Sequence, residues 1–106
     1  MRILITGAFG QLGFALNDVL SDKFDVIRTG RVIPSGLKGI SLNIQDKIYL
    51  NEVIAATSPD LIINLAAMTN VDACEKNPEI AKEVNIAGFQ HICDSFKGKI
   101  IQLSTD

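Results

Sequence analysis

The sequence predicts an α/β fold: a Rossmann-like, doubly wound parallel sheet of about five strands in the order 3-2-1-4-5, with helices on its faces. Three observations carry this expectation. Apolar runs alternate with segments of helical period through all 106 residues. The apolar runs are hydrophobic on successive residues, as strands buried on both faces are. The opening stretch "ILITGAFGQLG" sets three glycines at spacing G-x-x-G-x-x-G between the first apolar run and the first helical segment.

Taken in order, "RILIT" (2 to 6) is the first strand. Leu12, Ala15, Leu16, Val19 and Leu20 recur at i, i+3, i+4, i+7 and i+8, which places an apolar stripe on a helix. "FDVIRT" is the second strand, and the stretch 30–39, with Pro34 and three glycines, is a loop without a crossover helix. "GISLN" is the third strand. Asp46 caps a helix from Lys47 to about Thr57, with Tyr49, Leu50, Val53 and Ile54 turned inward and Pro59 beyond its end. "DLIINLAA" is the fourth strand. Asn77 and Pro78 are an N-cap and first helical residue opening a long helix that Gly98 ends after Lys97, and "KIIQLS" is the fifth strand.

The length suits one compact domain spanning 1–106. With 47% apolar residues and a net charge of -2, the chain reads as a soluble globular domain with neither nucleic acid nor a membrane as partner. "ILI" is too short for a signal-peptide core, so a cytoplasmic location is expected. Cys74 and Cys93 form no C-x-x-C pattern and read as small buried hydrophobes, and with His91, read as a surface residue, they lack the spacing of a zinc site.

The glycines gain a physical role in a strand-turn-helix context. Gly7 permits a sharp turn, Gly10 has no side chain to hold a pyrophosphate off the backbone, and Gly13 allows close helix packing. The helix N-terminus then offers free N–H groups and the positive end of a dipole to an anion. Dinucleotide binding is the expectation, with Gly7, Phe9, Gly10, Gln11 and Leu12 as the loop contacts; the lack of G-K-[ST] argues against a triphosphate site. At the end of the second strand an acidic side chain binds a ribose 2′-hydroxyl, whereas arginine suits a 2′-phosphate. "IRTGR" supplies Arg28 and Arg31 there, while Asp25 lies at the far end of the strand, so NADP(H) is expected over NAD, with Arg28 as the nearer residue. Asn43 and Ile44, after the third strand, either contact the adenine or form a simple turn before the capped helix. Ala66 and Ala67 permit close approach of a ligand, and Thr69 adds a hydroxyl.

"TGAFGQLG" resembles the loop of short-chain dehydrogenases/reductases, in particular the extended branch that acts on nucleotide sugars. The later pattern N-x-A-A-x-T-x-V-D-x-x-E…N-P-E-x-A…V-N is similar to that of dTDP-4-dehydrorhamnose reductases, although Met68 departs from it. The resemblance implies an NADPH-dependent reductase whose partner is a nucleotide-linked 4-keto-6-deoxysugar; the sequence leaves the oligomeric state open, a homodimer among the choices. It implies that Thr105, in the closing "STD", hydrogen-bonds the substrate's reacting oxygen, with Ser104 as the fallback, and that Asn85 braces the active-site strand. Hydride transfer in that family also needs a Tyr with a Lys four residues later. Tyr49 is followed at that distance by Val53, so the chain lacks the dyad and is expected to be the inactive front part of a longer enzyme. A non-catalytic NADP-binding regulatory subunit and a nucleotide-sugar epimerase or dehydratase are the alternatives.

Overall fold

The computed structural model of the chain describes residues 1–66 and 78–102, with only the backbone over 78–86. Its elements are β1 (Arg2–Thr6), α1 (Gln11–Leu20), β2 (Asp25–Gly30), β3 (Ile40–Ser41), α2 (Lys47–Thr57), β4 (Leu61–Asn64), α3 (Pro78–Ser95) and β5 (Lys99–Gln102). The five strands form one sheet in the order β3-β2-β1-β4-β5, and every neighbouring pair is parallel. Fold class and strand order are therefore as the sequence predicts, and residues 31–39 join β2 to β3 without a helix.

The successive apolar residues of the strands supply two cores, because alternate side chains leave opposite faces of the sheet. Leu4 and Ile62 face α2 and α3, where they pack with Leu42, Ile44, Leu50, Val53, Ile54 and Ile92. Ile3, Ile5 and Ile63 face the other way, with Ala8 and Leu65 and the partly buried Leu16 and Leu20 of α1. Each fully buried Leu or Ile contributes roughly 1.5–3 kcal/mol relative to exposure.

Helix α2 begins where the sequence places it: the Asp46 carboxylate accepts from the Tyr49 N–H at 3.2 Å. It ends at Ser58, whose φ of 47 is left-handed and whose N–H donates to Ile54 O. Tyr49 is not inward, being 39% exposed. The face that meets the sheet is Leu50, Val53 and Ile54, and Tyr49 lies about 100° around the helix from Leu50.

The stripe expected on α1 is likewise rotated. Leu12 and Val19 are 38% and 67% exposed, Ala15 is exposed, and the residue buried completely enough to face the sheet is Gly13. A Cβ on Gly13 would lie 2.2 Å from Ala8 O, so the helix rests its backbone on the turn before it, and Leu16 and Leu20 follow that contact inward. Smaller differences lie at element ends. β3 and β4 are shorter than their apolar runs, and α3 stops at Ser95, two residues before Lys97, with the Phe96 ring filling the space over Gly98. The Asn77 cap lies outside the described residues.

Candidate dinucleotide site

At the carboxyl edge of the sheet the three glycines do different work. Gly7 has φ +63, and an added Cβ would stand 2.7 Å from Ala66 N and from Leu65 C, so the turn needs both the left-handed conformation and the missing side chain. Ala8, fully buried, donates its N–H to Thr29 O at 2.9 Å and ties the turn to β2. Gly13 is held against Ala8. Gly10 differs: a Cβ there would meet only Gly7 O, at 3.9 Å, so packing leaves the space beside it open.

Gly10 is also the N-cap of α1, without a side-chain cap, and the first bond of the helix runs from Phe14 N to Gly10 O at 3.0 Å. The N–H groups of Gln11 and Leu12, both exposed residues, precede that bond at the helix end. Bare backbone, free donors and a positive dipole end thus meet at one open spot, which is the chemistry an anionic diphosphate needs.

The end of β2 lies beside this turn. The strand runs to Gly30, so Arg28 is two residues inside it and the exposed Arg31 is the first residue beyond; Arg31, not Arg28, is nearest the tip. The longer strand has a packing cause, since Thr29 and Gly30 pair with Ile40 and Ser41 of β3. Arg28 stands on the face of Ile5, with its guanidinium carbon 5.2 Å from the centroid of the Phe9 ring. Asp25, as expected, is at the opposite edge, where its carboxylate meets Arg2 Nε at 2.8 Å.

A polar row missed by sequence reasoning crosses three strand ends. Thr6 and Asn64 are both buried, the Thr6 hydroxyl donates to Asn64 Oδ1, and Asn64 Nδ2 donates to Gln102 Oε1 at 2.5 Å. Ala66 N also donates to Asn64 Oδ1, at 3.3 Å, which fixes the backbone just past β4 where Gly7 is packed. The signal was present: "RILIT", "LIIN" and "KIIQ" are apolar runs each closing on a hydrogen-bonding residue, at positions that the register brings level.

Two further expected contacts sit in the turn between β3 and α2. Asn43 Oδ1 accepts from Gln45 N at 3.0 Å, and Ile44 is buried against Gly88 of α3, where an added Cβ would meet its Cδ1 at 2.5 Å. The turn before the capped helix engages Asn43 Oδ1 while the residue stays exposed, and it buries Ile44. His91 is half-buried rather than on the surface, with Nδ1 2.9 Å from Ile44 O, and Cys93 is half-buried rather than a core residue. Ala66 is partly buried at the end of β4. Ala67, Met68, Thr69, Cys74, Ser104 and Thr105, and the side chain of Asn85, lie outside the described residues. No helix among the described residues is long and apolar enough to cross a membrane.

The family model for the RmlD substrate binding domain matches residues 1–106. The chain is 36% identical over 108 residues to the dTDP-4-dehydrorhamnose reductase of Aggregatibacter actinomycetemcomitans, an alignment covering 99% of this chain and 35% of that protein. The enzyme of the same name from Streptomyces griseus is 34% identical, with 99% and 33% covered. Among solved structures, a hypothetical dTDP-4-dehydrorhamnose reductase from Sulfolobus tokodaii superposes with a TM-score of 0.79 at 40% identity, covering 98% of this chain and 39% of that one. The L-threonine dehydrogenase of Clostridium difficile gives a TM-score of 0.82 at 29% identity, covering 98% and 36%. The chain spans about a third of the length of the curated relatives it matches.

Proposed function

The chain belongs to the family described as the RmlD substrate binding domain, and from that premise we propose that it is the NADPH-binding part of a reductase acting on a nucleotide-linked 4-keto-6-deoxysugar. The observation that carries the reading is the open space at Gly10, at the uncapped N-terminus of α1, between Gly7 and Gly13, which are both packed against backbone. The nicotinamide cofactor would supply the hydride. The chain's own residues would bind and orient it.

The N–H groups of Gln11 and Leu12 hold the pyrophosphate, and the Phe9 ring borders the cofactor at the β2 tip. Arg31, with Arg28 behind it, meets the ribose 2′-phosphate, which a planar guanidinium suits by paired hydrogen bonds. Ala66, fixed through Asn64, keeps the strand tip low beside the ligand, and Ala67 and Thr69 are further contacts of the cofactor in this proposal. Thr105 donates to the keto oxygen of the substrate. A cytoplasmic enzyme, as a homodimer, completes the proposal.

The test is NADPH oxidation in the presence of dTDP-4-dehydrorhamnose, catalysed by the protein at the full length of its relatives. Turnover with NADPH in preference to NADH is expected. A folded full-length protein that binds NADPH but gives no turnover would point instead to a cofactor-binding regulatory subunit.

A further inference from the structure

We infer that Phe9 sets the choice between the two nicotinamide cofactors, by occupying the place where a carboxylate would otherwise stand and by supporting the arginine. The inference rests on the cofactor reading above. A turn that binds through bare backbone needs no aromatic ring of its own, yet Phe9 reaches from it across to the β2 tip. A Cβ on Gly30 would lie 2.9 Å from Phe9 Cδ2, and one on Gly39 would lie 2.6 Å from Phe9 Cζ. Two glycines, one ending β2 and one leading into β3, are thus covered by the same ring. The Phe14 ring packs against it in a T-shaped pair, at 6.2 Å between centroids and 72° between planes.

The position this ring closes is where selectivity is decided. An acidic side chain at the end of the second strand accepts a hydrogen bond from the ribose 2′-hydroxyl and repels a 2′-phosphate. Gly30 ends that strand here, and a side chain there would collide with Phe9 at its first carbon. The same ring lies under the Arg28 guanidinium at 5.2 Å, a cation–π contact that keeps a positive charge beside the tip. Arg28 also shares an open groove of about 380 Å³ with Lys38, so a second cation faces the same side. Phe9 therefore removes the group that favours NADH and supports one that favours NADPH.

The experiment measures dissociation constants for NADPH and NADH with the full chain and with Phe9→Leu, Gly30→Asp and the double variant Phe9→Ala/Gly30→Asp, and follows the melting of each by circular dichroism. Wild type should prefer NADPH. Phe9→Leu, which keeps most of the volume but removes the ring, should lower the NADPH-to-NADH preference about threefold. Gly30→Asp alone should melt earlier than the double variant, because only in the latter is the space free. The double variant should shift the preference toward NADH by about tenfold or more, as the new carboxylate binds one cofactor and repels the other. A general loss of stability would weaken both cofactors together and leave their ratio where it was.

If the double variant does not fold, the ratio in Phe9→Leu decides. An unchanged ratio in every folded variant, or Gly30→Asp that folds and takes NADH as well as the double variant does, overturns the inference while leaving the cofactor site standing. Binding of neither dinucleotide by folded wild type overturns the cofactor reading, and the inference with it.

Discussion

Thr6 and Asn64 stand level with each other at the carboxyl ends of β1 and β4, and the Thr6 hydroxyl donates to the Asn64 amide inside the sheet. Asn64 is fully buried and links three partners: Thr6, Gln102 and the Ala66 N–H. Asn64→Leu should therefore cost about 1–3 kcal/mol, because it leaves buried polar groups without partners. Urea denaturation checks this, and a loss under about 0.5 kcal/mol would mean that water takes over the bonds.

The glycines of the turn should separate in their response to alanine. Gly7→Ala combines a left-handed φ of +63 with a Cβ 2.7 Å from Ala66 N and Leu65 C, and it should destabilise by about 2 kcal/mol or more. Gly13→Ala, at 2.2 Å from Ala8 O, should be at least as harmful because backbone, not a movable side chain, is in the way. Thermal melts of both variants decide the matter.

Removing the Asp46 cap should cost about 1 kcal/mol, since Asp46→Ala leaves the Tyr49 N–H at the start of α2 unsatisfied. Asp46→Asn, whose amide oxygen can still accept, should recover most of that loss. Chemical denaturation of the pair tests the cap separately from the charge.

Acid should act partly through Asp94. The Gln90 amide, at 2.9 Å, and the Lys47 ammonium, at 3.3 Å, hold its carboxyl below its ordinary value of 3.8. A group whose folded-state pKa is lowered stabilises above the unfolded value and loses that contribution as pH falls through the folded one. The pair is exposed, so the effect is small. Melting temperatures of wild type and Asp94→Asn should differ slightly at neutral pH and converge below the carboxylate range; an identical gap at both pH values would contradict the assignment.

Much of this fold was legible because its signals are local. Asp46 and Pro59 bracket α2, and the apolar runs mark the strands. What the periodicity did not give was which of two adjacent stripes on α1 faces the sheet. Leu12 and Val19 fit the helical period as well as Leu16 and Leu20 do, and the choice is made by Gly13, whose contact with Ala8 is tertiary. The site divides in the same way. The glycines are read from spacing, but Ile44 was drawn inward by a helix nearly half the chain away, and the Phe9–Arg28 contact crosses a turn whose reach no spacing records. The row Thr6, Asn64, Gln102 is visible only once the register is known.

If the backbone at Gly10 receives the dinucleotide's pyrophosphate, Gly10→Val fills the space the phosphates need. The native φ of -85 and ψ of 178 accommodate valine, and the site is open, so the variant should fold with a loss of about 1 kcal/mol, the cost of a poorer cap. Titration with NADPH should show affinity weakened about tenfold or more relative to wild type, as branched carbon takes the space of the phosphates. A folded Gly10→Val protein that binds NADPH as tightly as wild type would contradict the account.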